Sequence, residues 1–147
     1  MNNFENFYLN IKMIDSTVKR PTRAYEGDAG IDVYSAMDYI IPPYGDVLIS
    51  LGFKVEFPSG YVMIFKEKSG RAIKNKLSVG ACVVDSGYRN IVLTHVFNHS
   101  NQKVVINKNE KITQFIITPV WSGQPNFVNV IDEDTERGLG GFGSSKL

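Results

Sequence analysis

The sequence predicts a single all-β domain, a jelly-roll-like β-barrel that ends in a flexible, glycine-rich C-terminal arm. Short runs rich in β-branched and aromatic residues recur along almost the whole chain. Turn signals built from proline, glycine, asparagine and serine separate these runs. Many short strands with closely spaced turns are typical of barrels and jelly rolls.

The strands of the first half follow from alternation and from β-branched content. Apolar and polar residues alternate at 9–14 and 54–57, as in a strand with one buried face. Prolines and glycines at 42–45 and 58–60 mark turns. Predicted strands therefore occupy residues 9–14, 31–34, 47–49, 54–57 and 61–65.

The second half contains one predicted helical turn, at 69–76. Ser69 is its expected N-cap, because a serine hydroxyl can accept a hydrogen bond from the first N–H groups of a helix. Turn residues recur at 86–87 and 107–110. Further strands are predicted at residues 82–84, 91–97, 103–106 and 112–120.

Composition indicates an ordinary soluble domain and excludes several classes of function. The 147 residues are 43% hydrophobic and 21% charged, with a net charge of +1. There is no broad basic surface and no apolar run long enough to span a bilayer, so we expect no nucleic-acid or membrane partner. The single Cys82 excludes an internal disulfide. We expect a cytoplasmic protein, in the host cytoplasm if the source is a phage or virus.

The chain changes character near residue 131, where it becomes acidic and then glycine-rich. We therefore predict a barrel domain at 1–131 and an arm at 132–147. Glycine loses much entropy on ordering, so the arm is not expected to form a helix or strand. A solvated terminus would share this composition. However, the arm carries a guanidinium, an aromatic ring, hydroxyls and open N–H groups, which together suit an anionic, aromatic ligand.

The segment Asp85-Ser86-Gly87-Tyr88 lies between two apolar stretches and is predicted to be a tight β-hairpin. The backbone groups at the mouth of a hairpin can read the edge of a planar base. Asp85 and Tyr88 would flank that mouth. Alternatively, Asp85 only accepts N–H bonds of its own turn.

The segment Glu67-Lys68-Ser69-Gly70-Arg71 places cations, a hydroxyl and a glycine N–H at the predicted start of the helix. This combination is typical of a phosphate cradle. It is equally typical of a solvated basic turn.

Five segments, taken in order, resemble the five motifs of the trimeric dUTPase family. The resemblance runs from about residue 12 to residue 145, nearly the whole chain. The third and fifth segments are the most specific. The five are Ala29-Gly-Ile-Asp32, Lys68-Ser-Gly70, Gly80 to Arg89 with Asp85-x-x-Tyr88, Ile112-x-Gln114, and Arg137-Gly-x-x-Gly-Phe-Gly-Ser144.

The resemblance implies an enzyme that hydrolyses dUTP to dUMP and pyrophosphate by water attack at the α-phosphorus. It would thereby limit uracil in DNA and supply dUMP. The resemblance also implies a dUTPase-like, or β-clip, fold, Mg²⁺ on the triphosphate as cofactor, and a homotrimer with active sites at subunit interfaces.

For the base and sugar, the resemblance implies one catalytic residue and several contacts. Asp85 would orient the attacking water and contact the deoxyribose, and Tyr88 would pack against the sugar. The backbone at Val83 and Val84 would read uracil, and Phe142 of the arm would cover the base.

For the phosphates and the metal, the resemblance implies a second set of residues. Asp32 would meet the outer-shell waters of Mg²⁺. The phosphate contacts would come from Lys68, Ser69, Gly70, Arg71, Gln114, Arg137, Gly143 and Ser144.

Four positions depart from the family pattern. Glu67-Lys68 replaces Pro-Arg, so the charge is kept but the two-pronged guanidinium is lost. Arg71 replaces leucine, Cys82 replaces a glycine near the base, and Asn90 replaces the glycine after Tyr-Arg.

These departures leave two alternatives. One is a related nucleotide triphosphate hydrolase or a dCTP deaminase-like enzyme with altered base choice. Deamination would need a glutamate acid/base beside the cytosine amine, and the only glutamate near a central motif, Glu67, is poorly placed for this. The other is a non-catalytic jelly-roll structural or regulatory protein.

Several other residues are given structural roles. His95 and His99 flank Phe97 and are expected to be packing or surface residues rather than metal ligands. Trp121 is expected to close the core. The lysines at 103, 108 and 111 are expected to form a solvated strand edge.

Overall fold

The computed structural model describes residues 7–136 and 138, and these form an all-β domain with one short helix. The strands are β1 Asn10–Met13, β2 Ile31–Tyr34, β3 Tyr39–Ile41, β4 Asp46–Ser50, β5 Phe53–Glu56, β6 Tyr61–Glu67, β7 Leu77–Gly80, β8 Val83–Asp85, β9 Leu93–Asn98, β10 Val104–Ile106 and β11 Lys111–Pro119. The helix α1, Ser69–Asn75, lies between β6 and β7.

The strands pair only in antiparallel fashion and form four sheets in the described part of the chain. The largest has the order β2-β11-β6-β8, and a three-stranded sheet has the order β4-β9-β7. Two further pairs are β1-β5 and β3-β10. The predicted all-β class is thus confirmed, although these pairings make separate sheets rather than one closed barrel.

One hydrophobic core lies between the sheets. Alternate residues of the strands point into it, as Phe53 and Val55 do on β5. Phe65 and Phe115 are directly opposite each other on β6 and β11, with ring centroids 6.0 Å apart in an edge-to-face arrangement. The largest fully buried side chains are Phe53, Phe57, Phe65, Phe115, Ile41, Ile49, Leu51, Met63, Ile106, Val33, Val92 and Val96.

The structure contains every predicted strand and adds two short ones. β3 has three residues and ends at a Pro-Pro turn, so it is too short to show a period of two. β7 follows α1 directly. The helix ends at Lys76, which adopts the left-handed conformation (φ 55°) common at helix C-termini.

The predicted N-cap of the helix is wrong by one residue. Lys68 is the N-cap, with the extended backbone (φ −85°, ψ 127°) that this position requires. Ser69 is already the first helical residue, and no side chain caps the helix.

The predicted hairpin at 85–88 is correct as a turn and wrong as a hairpin. The turn is closed by the Tyr88 N–H, which donates to the Asp85 carbonyl at 3.0 Å. However, β8 pairs with β6. The chain after the turn runs to Val92, whose backbone bonds to Leu51 and Phe53.

Trp121 lies outside the core, contrary to expectation. The last strand ends at Pro119, and no layer of the described chain covers the residues beyond it. Trp121 is 76% exposed. Residues 120–136 contain no strand and are all exposed. The predicted boundary at residue 131 stays a prediction.

Candidate active site

A polar cleft lies where β2, β11 and the segment before α1 meet. Its volume is about 280 Å³. It brings together three of the predicted site residues, which come from three separate motifs. The cleft is lined by Ala24, Asp28, Ala29, Gly30, Asp32, Lys68 and Gln114.

Asp32 is the buried acidic group of this cleft, with only 3% of its side chain exposed. Its Oδ1 accepts a hydrogen bond from Lys68 Nζ at 2.5 Å, and its Oδ2 lies 2.6 Å from Lys111 Nζ. Burial raises the pKa of Asp32, but the contacts with the Lys111 and Lys68 ammonium groups outweigh it and the net pKa is lowered. Asp32 is therefore an ionised carboxylate held between two ammonium groups.

Gln114 links the cleft to the end of β6. It is opposite Asp32 in the β11–β2 register, and its Nε2 donates to the Glu67 carbonyl at 3.0 Å. This bond fixes the backbone one residue before Lys68. The Glu67 side chain points elsewhere, because its Oε1 accepts a bond from the Val79 N–H at 3.2 Å.

The start of α1 presents Ser69 and Gly70 to solvent. Their N–H groups belong to the first turn of the helix and have no partner within it. A Cβ built at Gly70 would meet nothing within 4 Å in this chain. Packing within the chain therefore does not demand glycine here, and a close approach by a ligand would.

Arg71 points away from the cleft. Its guanidinium forms an ion pair with Glu110, and its Nε donates to the Lys111 carbonyl at 3.2 Å. Burial raises the pKa of Glu110, but the Asn107 N–H and the Arg71 guanidinium outweigh it and lower the pKa. Arg71 thus ties α1 to the start of β11, and its predicted phosphate contact stays a prediction.

Asp85 and Tyr88 lie together at the far end of β8. Within the described residues, the Asp85 carboxylate makes no hydrogen bond or ion pair. The alternative in which this side chain accepts N–H bonds of its own turn is therefore wrong, and the one such bond goes to the backbone carbonyl. Tyr88 packs against the core, and its hydroxyl donates to the Ile91 carbonyl at 2.9 Å. The pair therefore consists of a free carboxylate beside an anchored aromatic ring.

Val83 and Val84 lie on the edge strand β8. Val84 is buried and Val83 is 62% exposed. β6 occupies one side of β8, and no other described strand pairs with it. The second edge of β8 therefore offers backbone donors and acceptors to a ligand. Next to it, the Cys82 thiol donates to the Val79 carbonyl at 3.5 Å.

The two groups of residues lie at opposite ends of β6. Asp85 is in register with Val62, whereas Lys68 follows Glu67 at the other end. At about 3.3 Å per residue, the six-residue separation is roughly 20 Å. One chain therefore carries two half-sites, which we call the phosphate half-site (Asp32, Lys68, Gln114) and the base half-site (Val83, Asp85, Tyr88).

The expectation of a solvated lysine edge is wrong for Lys111, whereas Lys103 and Lys108 are exposed as expected. Lys111 contacts the buried Asp32, and Lys108 Nζ bonds to Asp15 and Thr17 at 3.0 and 2.6 Å. The sequence offered no local signal for Lys111, since its contact depends on the pairing of β11 with β2. The arm residues Arg137, Phe142, Gly143 and Ser144 lie outside the described residues.

His95 and His99 have the structural roles expected of them. Their rings lie 4.3 and 6.3 Å from that of Phe97, with His95 on β9 and His99 just after its end. The Nε2 of His95 lies 2.6 Å from Asp46, and that of His99 lies 2.6 Å from Ser78.

The acidic groups of the cleft fit a Mg²⁺ ion that arrives on phosphates, and not one caged by the protein. Both oxygens of Asp32 already contact ammonium groups. Among residues 7–136 and 138, no three His, Cys, Asp or Glu side chains cluster to hold a metal. Mg²⁺ usually keeps several waters and binds one or two carboxylates plus phosphates. Asp32 and the exposed Asp28 are the carboxylates available to that water shell.

The sequence model of the dUTPase family matches residues 16–146. Deoxyuridine 5'-triphosphate nucleotidohydrolases of Yarrowia lipolytica and Alkaliphilus metalliredigens are 36% identical over 140 residues and 35% identical over 143. Each match covers 95% of this chain. It covers 89% of the length of the Yarrowia lipolytica protein and 97% of that of the Alkaliphilus metalliredigens protein.

Solved structures give the same result for the fold. The Staphylococcus bacteriophage 80alpha dUTPase with dUpNHpp matches with a TM-score of 0.84 at 26% identity, covering 95% of this chain and 99% of that one. A mutant dUTPase of phage phi11 of S. aureus, which coordinates a structural Mg(II) ion, matches in fold with a TM-score of 0.79 at 21% identity, covering 85% and 99%. The predicted jelly-roll fold is confirmed, and the chain belongs to the dUTPase family.

Proposed function

We propose that this protein is a dUTP diphosphatase, which hydrolyses dUTP to dUMP and pyrophosphate. Membership of the dUTPase family supports the reaction, and the chemistry of the two half-sites supports its residue assignments. The observation that carries the assignment is the free carboxylate of Asp85 beside the anchored ring of Tyr88. A general base must be unpaired and within reach of the water that it activates.

In the base half-site, Asp85 orients the attacking water and accepts its proton. A positioned base contributes about 10²–10⁴ in rate. The ring of Tyr88 supplies a rigid surface for the deoxyribose. Uracil is read by the open edge of β8 at Val83 and Val84, where backbone groups lack a strand partner in the described chain.

In the phosphate half-site, Lys68, Ser69, Gly70 and Gln114 bind the phosphates. Phosphoryl transfer depends mainly on positioning and on neutralising charge, and a cation beside open N–H groups provides both. A Mg²⁺ ion bound to the triphosphate would neutralise further charge, with Asp32 and Asp28 facing its waters. Asp28, Asp32, Lys68 and Lys111 together carry no net charge, so Lys68 can bind the phosphates without an excess of carboxylates repelling them.

The active site is proposed to form between subunits of a homotrimer. Asp85 must lie within hydrogen-bond reach of the water that attacks the α-phosphorus, yet it is roughly 20 Å from Lys68 in its own chain. A base half-site from one subunit and a phosphate half-site from another solve this. Exposed apolar residues beyond β11, such as Trp121, Phe127 and Ile131, suit burial against another subunit.

The C-terminal arm is proposed to complete the site. Arg137, Gly143 and Ser144 would grip the phosphates and Phe142 would cover the base, which excludes bulk water during the reaction. Removing residues 137–147 should then abolish most activity while leaving thermal stability unchanged. A truncated protein with normal kcat/KM would show that the arm has no such role.

The deaminase-like alternative has little support in the structure. It needs an acid/base beside the base half-site, and the Glu67 side chain is bound to the Val79 N–H instead.

No helix among the described residues is long and apolar enough to cross a bilayer.

A nucleotide panel tests the proposed function. dUTP, UTP, dTTP and dCTP are incubated with the protein and Mg²⁺, and pyrophosphate and ammonia are measured. We expect pyrophosphate from dUTP far faster than from the other three nucleotides, without ammonia. Ammonia from dCTP would favour the deaminase, and no product from any nucleotide would favour a non-catalytic protein.

A further inference from the structure

Asp32 has two cationic partners, and they lie on different sides of it. Lys68 lines the phosphate cleft, whereas Lys111 is not among the residues that line it. Lys111 Nζ lies 2.6 Å from Asp32 Oδ2 and 6.0 Å from the centroid of the Tyr34 ring. One ammonium therefore lines the cleft and contacts Oδ1 of Asp32, and the other contacts Oδ2 from outside the cleft lining.

The backbone of β11 aims Lys111 at Asp32. The register with β2 shifts between Lys111 and Thr113, as at a β-bulge. A bulge redirects the side chain at its position. In addition, Arg71 Nε holds the Lys111 carbonyl at 3.2 Å, and Arg71 is itself fixed by Glu110. The backbone at Lys111 is thus fixed by contacts with β2 and α1, in an orientation that brings its side chain to Asp32.

Phosphate binding creates a conflict for Lys68. Its ammonium is now bonded to Asp32, and a phosphate would compete with Asp32 for the same N–H donors. A carboxylate that is 3% exposed is strongly destabilised when it loses its counter-ion. Without a second cation, every substrate molecule that drew Lys68 away would leave a buried, unpaired charge.

We propose that Lys111 is a positioning residue that keeps Asp32 paired while Lys68 turns to the substrate phosphates. This inference rests on the proposed function. It assigns Lys111 a role in substrate affinity without contact to the substrate. Without dUTP, either lysine is enough to pair the Asp32 carboxylate. With dUTP bound, both are needed, because Lys68 pairs with the phosphates and Lys111 with Asp32.

Dissociation constants for dUTP in EDTA, measured by calorimetry, test this without turnover. Lys111→Met should bind dUTP about tenfold or more weakly, because Lys68 can no longer leave Asp32 at low cost. Lys111→Arg keeps a cation at this position and should bind within about threefold of the parent. Thermal unfolding of each variant verifies that the fold is intact.

The decisive comparison removes the carboxylate charge. Asp32→Asn needs no counter-ion, so adding Lys111→Met to it should change the affinity by less than about threefold. A further tenfold loss in this double variant would overturn the proposal, and so would parent-like affinity of Lys111→Met. If Lys111→Met alone does not fold, Lys111→Gln, which also removes the cation, replaces it in both backgrounds. Hydrolysis of dUTP by the parent protein with Mg²⁺ tests the proposed function separately.

Discussion

The side chain of Gln114 lies over the α-carbon of Gly30, and it does so only because residue 30 has no Cβ. A Cβ built at this position would overlap Oε1 of Gln114. The backbone of Gly30 is not in the left-handed region, so conformation does not demand glycine here. The glycine of the first motif therefore makes room for the glutamine of the fourth.

Gly30→Ala should consequently displace Gln114 and reduce kcat/KM for dUTP by roughly 10-fold or more, because small misplacements in a site are costly. Thermal stability should fall only slightly, since Gly30 lies at the edge of the cleft. The matched control is Gln114→Ala, in which the overlap is gone. Adding Gly30→Ala to that variant should have little further effect, and a full additive loss would contradict this account.

Local signals in the sequence predicted the elements that depend on nearby residues. The strand at Ile31–Tyr34 follows from its β-branched content and the turn at 85–88 from its Ser-Gly pair. The motif residues Asp32, Lys68 and Gln114 were expected to act together, and the structure places them in one cleft.

Features that depend on long-range pairing could not be predicted in this way. Lys111 contacts Asp32 because β11 pairs with β2 across 79 residues of sequence, which no local pattern reveals. The ion pair of Arg71 with Glu110 likewise joins residues 39 positions apart, and its phosphate contact stays a prediction. Trp121 was expected in the core, yet the packed layers end at Pro119.

Mixing two inactive variants should restore activity if sites form between subunits. Asp85→Asn removes the base, and Lys68→Met removes a phosphate contact, so each alone should lose roughly 10²-fold or more in kcat. Hybrid oligomers contain some sites in which both halves are intact. In these, the Lys68→Met subunit supplies the base half-site and the Asp85→Asn subunit supplies the phosphate half-site. After unfolding and refolding together, the mixture should therefore regain a substantial fraction of parental activity.

The controls for this experiment are each variant refolded alone and the double variant mixed with itself. None should regain activity. Asp46→Asn, an exposed carboxylate that bonds to His95 outside both half-sites, should keep normal kcat. An inactive mixture of well-folded hybrids would mean that one subunit supplies the whole site.

The Arg71–Glu110 pair should make stability depend on acidic pH. The pKa of Glu110 in the fold is below its ordinary value of 4.5. The unfolded chain therefore binds the proton more tightly. The stabilising contribution is complete above pH 4.5 and is lost as the pH falls through the lower pKa of the folded state.

Thermal unfolding at neutral pH and at several pH values below 4.5 measures this effect. Glu110→Gln should have a lower Tm than the parent at neutral pH, and the difference should shrink on acidification. Asp15 also has a lowered pKa, about 2, because of hydrogen bonds from Thr17 and Lys108. The contribution of Asp15 is complete above its ordinary pKa of 3.8 and is lost as the pH falls toward 2, so Asp15→Asn measures it separately. A pH-independent difference for Glu110→Gln would exclude the ion pair as its cause.

Tyr88 should set the preference for deoxyribose over ribose. Its ring packs on the core and its hydroxyl is held by the Ile91 carbonyl at 2.9 Å, so it cannot easily move away from a bulkier sugar. A ribose 2′-hydroxyl placed against this ring would be desolvated without a partner. The parent protein should therefore favour dUTP over UTP strongly in kcat/KM.

In Tyr88→Ala, the discrimination between dUTP and UTP, measured from the ratio of their kcat/KM values, should fall by about 1–3 kcal/mol. Some dUTP hydrolysis should survive, because Asp85 remains. Tyr88→Phe is the matched control. It keeps the ring but loses the bond to Ile91, so it should retain most of the discrimination, and any loss would measure how much the anchoring contributes. Both variants are assayed with both nucleotides at saturating Mg²⁺. If the ratio is unchanged in Tyr88→Ala, the sugar is read by another surface, and the base half-site does not hold the deoxyribose against the ring of Tyr88.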